Sequence, residues 1–198
     1  DLYVCVYERD RVVPGETSAM VPGGVDDFVY HDANTGGPNS LFRNDGDGNF
    51  TEVTELVGLD HNNHKYSYAA SWDDFDNDGD SDLYVANDFG RDNLYRNDGG
   101  TFVDIANEAN VEDSGSGMGV TWGDYNHDGW MDVFVSNMWS SAGIRVTYQP
   151  QFKANATAEV KERLQRHARG NTLLKNRADG TFEHVSSQAD VELGRWAW

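Results

Sequence analysis

The sequence predicts an all-β chain assembled from repeated four-stranded units, and three recurrences predict it. The acidic loop Asp74-Phe75-Asp76-Asn77-Asp78-Gly79-Asp80-Ser81-Asp82 returns as Asp124-Tyr125-Asn126-His127-Asp128-Gly129-Trp130-Met131-Asp132. The strand-like run Asp82-Leu83-Tyr84-Val85-Ala86-Asn87 returns as Asp132-Val133-Phe134-Val135-Ser136-Asn137, and as Asp1-Leu2-Tyr3-Val4-Cys5-Val6. A turn element appears as Leu41-Phe42-Arg43-Asn44-Asp45-Gly46, Leu94-Tyr95-Arg96-Asn97-Asp98-Gly99 and Leu173-Leu174-Lys175-Asn176-Arg177, each followed by an aromatic residue, Phe50, Phe102 or Phe182. Self-similarity at a fixed spacing is the signature of a repeat architecture.

In the middle unit, strand one (Tyr68 to Trp72) enters the first acidic loop and strand two (Asp82 to Ala86) leaves it. Strand three (Asn93 to Arg96) turns through Asn97-Asp98-Gly99 into strand four (Thr101 to Ile105). Asn and Gly tolerate positive φ, so this tripeptide between alternating apolar residues signals a hairpin. Asp45, Asp47 and Asp98 read as turn formers in that setting. Four-stranded units too small to bury a core alone point to the blades of a β-propeller. The expected division is a first blade at about 1–57 with an insertion at 8–39, a second at about 67–111, and a third at about 117–191 with an insertion at 138–171. Residues 192–198 would open the next blade. Asp1 takes the ninth position of an acidic loop and Trp198 aligns with Ala70 and Val120, so about three blades of a larger propeller are expected.

Both acidic loops read D-x-[DN]-x-D-G-x-x-D. Side-chain oxygens at positions one, three, five and nine can converge on one ion if the chain turns at the glycine, with a backbone carbonyl from position seven. Such a set suits a hard cation taking about six to eight oxygens, Ca²⁺ ahead of Mg²⁺. Two complete sites are expected. Asp74, Asp76, Asp78 and Asp82 would supply side chains with the carbonyl of Asp80; Asp124, Asn126, Asp128 and Asp132 would do so with the carbonyl of Trp130. An EF-hand would need Glu at position twelve, where Val85 and Val135 stand inside strand-like runs.

The 198 residues carry 15 Lys and Arg against 34 Asp and Glu, a net charge of −19. With 38% hydrophobic and 12% aromatic residues the chain can build a core, so it is no disordered acidic tail. Excess carboxylate argues against nucleic acid as a partner, and the sum of several calcium loops accounts for the acidity. Cys5 is the single cysteine, read as an inert thiol in a strand. No apolar run is long enough to span a membrane, and no signal peptide is visible.

The pattern W-x-D-[FY]-[DN]-x-D-G-x-x-D-[LV]-[YF]-V followed by N-L-Y-R-N-D-G resembles the FG-GAP/VCBS repeats of integrin-α-type propellers. It is most similar to the bacterial and cartilage-acidic-protein-like group that often carries an ASPIC/UnbV domain, although no such segment is visible. The resemblance implies calcium binding and a location at the cell surface, in the periplasm or outside the cell. Affinity argues the same way, since weak loops of this kind fill only at extracellular calcium levels.

The two insertions fall on the face opposite the acidic loops, together with the link Leu59-Asp60-His61-Asn62-Asn63-His64-Lys65-Tyr66. Elaboration on one face of a repeat protein marks a binding face. One short helix is expected from Ala156 to Arg169, with Thr157 as N-cap, Glu159–Arg163 and Glu162–Arg166 as i,i+4 pairs, and Val160 and Leu164 on one side. Arg145, Lys153, Lys161, Arg163, Arg166, Arg169, Lys175 and Arg177 gather between residues 145 and 177. They form either a solvated surface docked on acidic neighbours or a patch for an anionic glycan or acidic protein. Asn49 and Asn155 begin glycosylation sequons. Asp88-Phe89-Gly90 spells a kinase triplet without the rest of that signature.

The leading functional expectation is a non-enzymatic adhesion, recognition or scaffold module binding a protein or glycan through the insertion face. A carbohydrate-active lyase or hydrolase is the alternative, with His61, His64, Tyr66, Tyr148 and His167 as candidate acid/base groups. A third expectation is a structural subunit of an extracellular polymer, self-associating through open blade edges.

Overall fold

The computed structural model describes residues 1–7 and 33–193; most of the first insertion and the last five residues lie outside them. Among the described residues, eleven strands and two helices follow one another. The first sheet comprises β1 (Leu2–Val4), β2 (Ser40–Gly46) and β3 (Asn49–Glu52). The second is β4 (Ser67–Asp73), β5 (Asp82–Asn87), β6 (Asn93–Asn97) and β7 (Phe102–Asp104). The third is β8 (Gly117–Gly123), β9 (Asp132–Asn137), β10 (Thr172–Asn176) and β11 (Phe182–His184). Every sheet is an antiparallel meander in chain order, three-stranded in the first case and four-stranded in the other two.

The second and third sheets share one register. Trp72 pairs with Leu83 as Trp122 pairs with Val133, and a bulge interrupts both first ladders at the same place, Ser67/Ala69 and Gly117/Gly119. After strand four the chain makes one compact turn in each unit. Leu59 N donates to Thr54 O, Val111 N to Ala106 O and Val191 N to Ser186 O, at 3.0, 2.9 and 3.1 Å. These turns knit neighbouring sheets together: Phe102 N donates to Val57 O and Phe182 N to Ala109 O, at 2.7 and 2.8 Å.

Strand alternation puts successive side chains on opposite faces. Leu83, Val85 and Tyr95 pack toward the first sheet with Leu41, Val53 and Phe102. Tyr84, Ala86 and Leu94 pack toward the third with Val133, Val135 and Phe182. Trp72 meets Tyr3 and Phe102 edge-on, at centroid distances of 6.1 and 5.8 Å. Trp122 meets Tyr84 and Phe182, the equivalent residues one unit later, at 6.1 and 6.4 Å. It also stacks on Phe75 at 6.3 Å. Among the described residues, the middle sheet is therefore covered on both sides and the outer two on one. Phe75 is 1% exposed and its counterpart Tyr125 46%; Leu83 is fully buried and its counterpart Leu2 53% exposed.

Two helices, not one, fill the connection between β9 and β10. α2 (Ala158–Arg169) begins as expected, with Thr157 Oγ1 accepting from Val160 N at 3.3 Å and with both i,i+4 ion pairs formed. α1 (Ser141–Thr147) corrects the expectation of a single helix. Its β-branched residues and Gly143 are poor helix formers, so local propensity gave no signal. Tertiary contact decides it: a Cβ on Gly143 would lie 3.1 Å from Ala168 Cβ, so the glycine lets α1 approach α2 closely. Among the described residues no helix is long and apolar enough to cross a membrane. Burial pushes the half-buried Cys5 thiol up to about 11, which disfavours the reactive thiolate.

Candidate metal centre

The acidic loops connect β4 to β5 and β8 to β9, and the same local forces shape both. Asp74 Oδ1 and Oδ2 accept from Asp78 N and Gly79 N, each at 3.0 Å. Asp124 accepts from Asp128 N and Gly129 N at 3.0 and 2.9 Å. The curl needs left-handed backbone at Asn77 (φ 59°) and Gly79 (φ 96°), and at His127 (61°) and Gly129 (86°). A Cβ on Gly79 would touch nothing, so the glycine is required by conformation rather than by space.

Position nine closes each loop against the sheet. Asp82 Oδ2 accepts from Phe75 N at 3.1 Å and its Oδ1 from Asn97 N at 2.8 Å. Asp132 repeats both bonds with Tyr125 N (3.1 Å) and Asn176 N (2.8 Å). Asp1, assigned to the same position from the sequence, accepts from Asn44 N at 2.9 Å. Burial pushes the Asp82 carboxyl up to about 7 and raises Asp132 as well. Asp80 sends its side chain to Gly99 N at 3.0 Å, tying the first loop to the β6–β7 turn.

The loops differ in their centres. Asp74, Asp76 and Asp78 bring one carboxylate oxygen each to within 4.8 Å of one another, the only such acidic group among the described residues. Two oxygens on opposite sides of a Ca²⁺ ion stand about 4.6–5.2 Å apart, so this convergence matches one coordination shell. Asp76 Oδ1 is shielded from solvent and has no hydrogen-bond partner, a cost that a cation would remove. Burial, then the neighbouring Asp78, raises the Asp76 carboxyl. The residues of the first loop fit a hard divalent cation. In the second loop, Asn126 Oδ1 accepts from Asp128 N at 3.1 Å while its Nδ2 donates to Asp128 Oδ2 at 2.8 Å. Lys175 Nζ stands 3.8 Å from the same carboxylate, and Trp130 N donates to Asp128 Oδ1 at 3.1 Å. Asn126 thus replaces one carboxylate with an amide that satisfies its neighbour.

Residues 74–135 match the family model described as the FG-GAP-like repeat. This segment is an FG-GAP-like repeat. The matched stretch opens on Asp74 and closes in β9, so it spans both acidic loops and the strands β5 to β8 between them. No curated protein matches the chain.

Two sets of residues around this repeat were legible in the sequence only as turn or link formers. Asn97 and Asn176 hold position nine of the loops through their backbone N–H groups. At the other end of the sheets, Asn39, Asp92 and Asn171 each cap strand two. Their Oδ1 atoms accept from Val6 N, Asn87 N and Asn137 N at 2.8, 2.8 and 3.1 Å. The recurring polar residue one place before strand three was the signal available.

Of the candidate acid/base residues, Tyr66 and His167 both pack against the ring of Phe89, at centroid distances of 5.7 and 6.4 Å. His61 and His64 are exposed, and Tyr66 faces Thr35 at 3.1 Å and the rings of Tyr7 and Phe89. Tyr148 Oη accepts from Arg169 at 2.6 Å, and His167 lies between Ser114 O and Ser116 Oγ, both at 3.2 Å. Ser116 is 1% exposed. Beside α2 a polar cleft of about 180 Å³ is lined by Arg91, Glu112, Arg163 and Arg166 among others. Asn49 and Asn155 are both exposed. Asp88, from the kinase-like triplet, accepts from Tyr7 Oη at 2.5 Å.

Proposed function

We propose that this chain is part of a calcium-binding β-propeller that serves outside the cytoplasm as an adhesion, recognition or scaffold module. The observation that carries the reading is the convergence of Asp74, Asp76 and Asp78 around the unpartnered Asp76 oxygen. Asp82 and the carbonyl of Asp80 complete that set, and Asp124, Asn126, Asp128, Asp132 and the carbonyl of Trp130 form a second, weaker one. The ion neutralises carboxylates that otherwise repel, so binding and loop order are linked.

The propeller reading is supported by the stacking of sheets through equivalent residues, Trp72 on Tyr3 and Trp122 on Tyr84. Further repeats would cover Leu2 and Val4 at one end and Tyr125 at the other, where apolar side chains are exposed. Grouping with the cartilage-acidic-protein-like members belongs to this proposal, as does a protein or glycan partner on the face that bears α1 and α2. No catalytic step is assigned. Titration calorimetry at millimolar calcium tests the central claim. The expected result is two binding events of unequal affinity, and no binding heat would overturn it.

A further inference from the structure

Asn176, at the end of β10, touches both acidic loops. Its Nδ2 donates to Phe75 O in the first loop at 2.8 Å and to Met131 O in the second at 3.1 Å. Its backbone N donates to Asp132 Oδ1 at 2.8 Å. Phe75 N in turn donates to Asp82 Oδ2 at 3.1 Å. Three hydrogen bonds, joined by the main chain of Phe75 and by Asn176 itself, therefore link the residue that closes the first loop to the residue that closes the second. Asp82, Phe75, Asp132 and Asn176 are all at most 2% exposed, so water does not compete for these bonds. Asn97, the equivalent residue one unit earlier, sends its Nδ2 to Ser81 O of the first loop alone.

We propose that Asn176 is a positioning residue that couples the two loops, so that an ion in one raises the affinity of the other. The inference rests on the calcium reading above. An ion held by Asp74, Asp76, Asp78 and Asp82 fixes the Phe75 peptide, whose carbonyl then holds the Asn176 side chain. The Asn176 backbone orients the Asp132 carboxylate toward the second loop. The first ion thus meets the ordering cost of the shared segment, and the second binds to a loop already in place. Linkage makes the effect equal in both directions.

Gly79 and Gly129 donate to Asp74 and Asp124 from the two turns, so their amide resonances report each loop separately in a calcium chloride titration followed by NMR. Asp78→Ala, which damages the first loop, is expected to shift the Gly129 midpoint to about tenfold higher calcium. In an Asn176→Ala background the same substitution should leave that midpoint where Asn176→Ala alone puts it, closing a double-mutant cycle. Asn97→Ala should preserve the coupling, which separates the bridge from the general role of an asparagine at this turn. If Asn176→Ala does not fold, Asn176→Ser keeps a polar side chain too short to reach Phe75 and takes its place. A Gly129 midpoint indifferent to Asp78→Ala in the native chain overturns the proposal. So does a midpoint that still moves without Asn176. If neither glycine responds to calcium, the calcium reading itself falls and the coupling with it, a result distinct from two independent midpoints.

Discussion

Asp92 stands where the other two units have Asn39 and Asn171. All three accept the same backbone N–H, but only Asp92 brings a carboxyl into the interior, where Tyr84 Oη also donates to it at 3.0 Å. Burial first, then the nearby Asp113, raises its carboxyl well above the ordinary range, opposed in part by the hydrogen bonds from Asn87 N and Tyr84 Oη and least by Lys65. A folded value above the unfolded one means that the contribution to stability is full below pH ~4 and is lost as pH rises toward the folded value. Asp92→Asn keeps the accepted hydrogen bond and removes the proton. The variant should melt roughly 2–4 °C above the native chain at neutral pH, about 1 kcal/mol at this length, with the difference shrinking to nothing near pH 4. Thermal melts across pH measure it, and a constant difference at every pH would show that Asp92 carries no linkage.

Asp78 shows a different logic, in which one residue serves two states. Its Oδ1 accepts from Asp80 N at 2.9 Å, and its carboxylate joins the cluster with Asp74 and Asp76. Asp78→Ala should lower the melting temperature in millimolar calcium by several degrees, because the stabilisation by mass action disappears. Without calcium it should leave stability unchanged or raise it, through relief of carboxylate repulsion. Paired melts with calcium and with chelator distinguish this from a purely structural aspartate, whose loss would cost the same in both.

At the scale of elements, one indole from each of the second and third sheets packs against the sheet before it. Trp122 lies among Phe75, Tyr84 and Phe182, and its Nε1 donates to Ser71 O of β4 at 3.1 Å. Trp72 makes two of the three equivalent ring contacts and is 38% exposed. Trp122→Ala should cost about 3 kcal/mol, from lost burial plus the cavity, and Trp72→Ala distinctly less. Denaturant unfolding of both variants gives the comparison. Equal costs would mean that the sheets do not lean on this contact.

For the whole molecule, charge is divided unevenly between two ends. The acidic loops gather at one end of the sheets, where Lys175 stands 3.8 Å from Asp128, while Arg145, Lys153, Lys161, Arg163, Arg166 and Arg169 lie in the helical connection at the other. Arg163 and Arg166 are each paired within α2, so Arg163→Glu with Arg166→Glu alters the surface with little expected effect on folding. Partner binding should weaken more at low salt than at high salt, because exposed charges are screened over about 8–10 Å at physiological ionic strength. Affinity for an anionic glycan or acidic protein partner across a salt series checks this. Normal binding at every salt concentration would leave this surface as merely solvated.

The sequence by itself determined the repeat, because repetition needs no distant information. The loop at Asp74–Asp82 and its copy, the hairpin at Asn97-Asp98-Gly99 and the alternation Leu83, Tyr84, Val85 are all local patterns that backbone conformation and burial force on the chain. The cap of α2 at Thr157 was legible for the same reason. What only the tertiary structure decided depends on neighbours. α1 forms because Gly143 meets Ala168, against its own propensity. Phe75 is buried and Tyr125 exposed, though they hold the same place in the repeat, because among the described residues only Phe75 has a following sheet to cover it. The three carboxylates converge in the first loop, whereas Asn126 and Lys175 satisfy Asp128 in the second. Asn176 looked like a turn residue, and its bond to Phe75 became visible only once folding brought β10 beside a loop a hundred and one residues earlier.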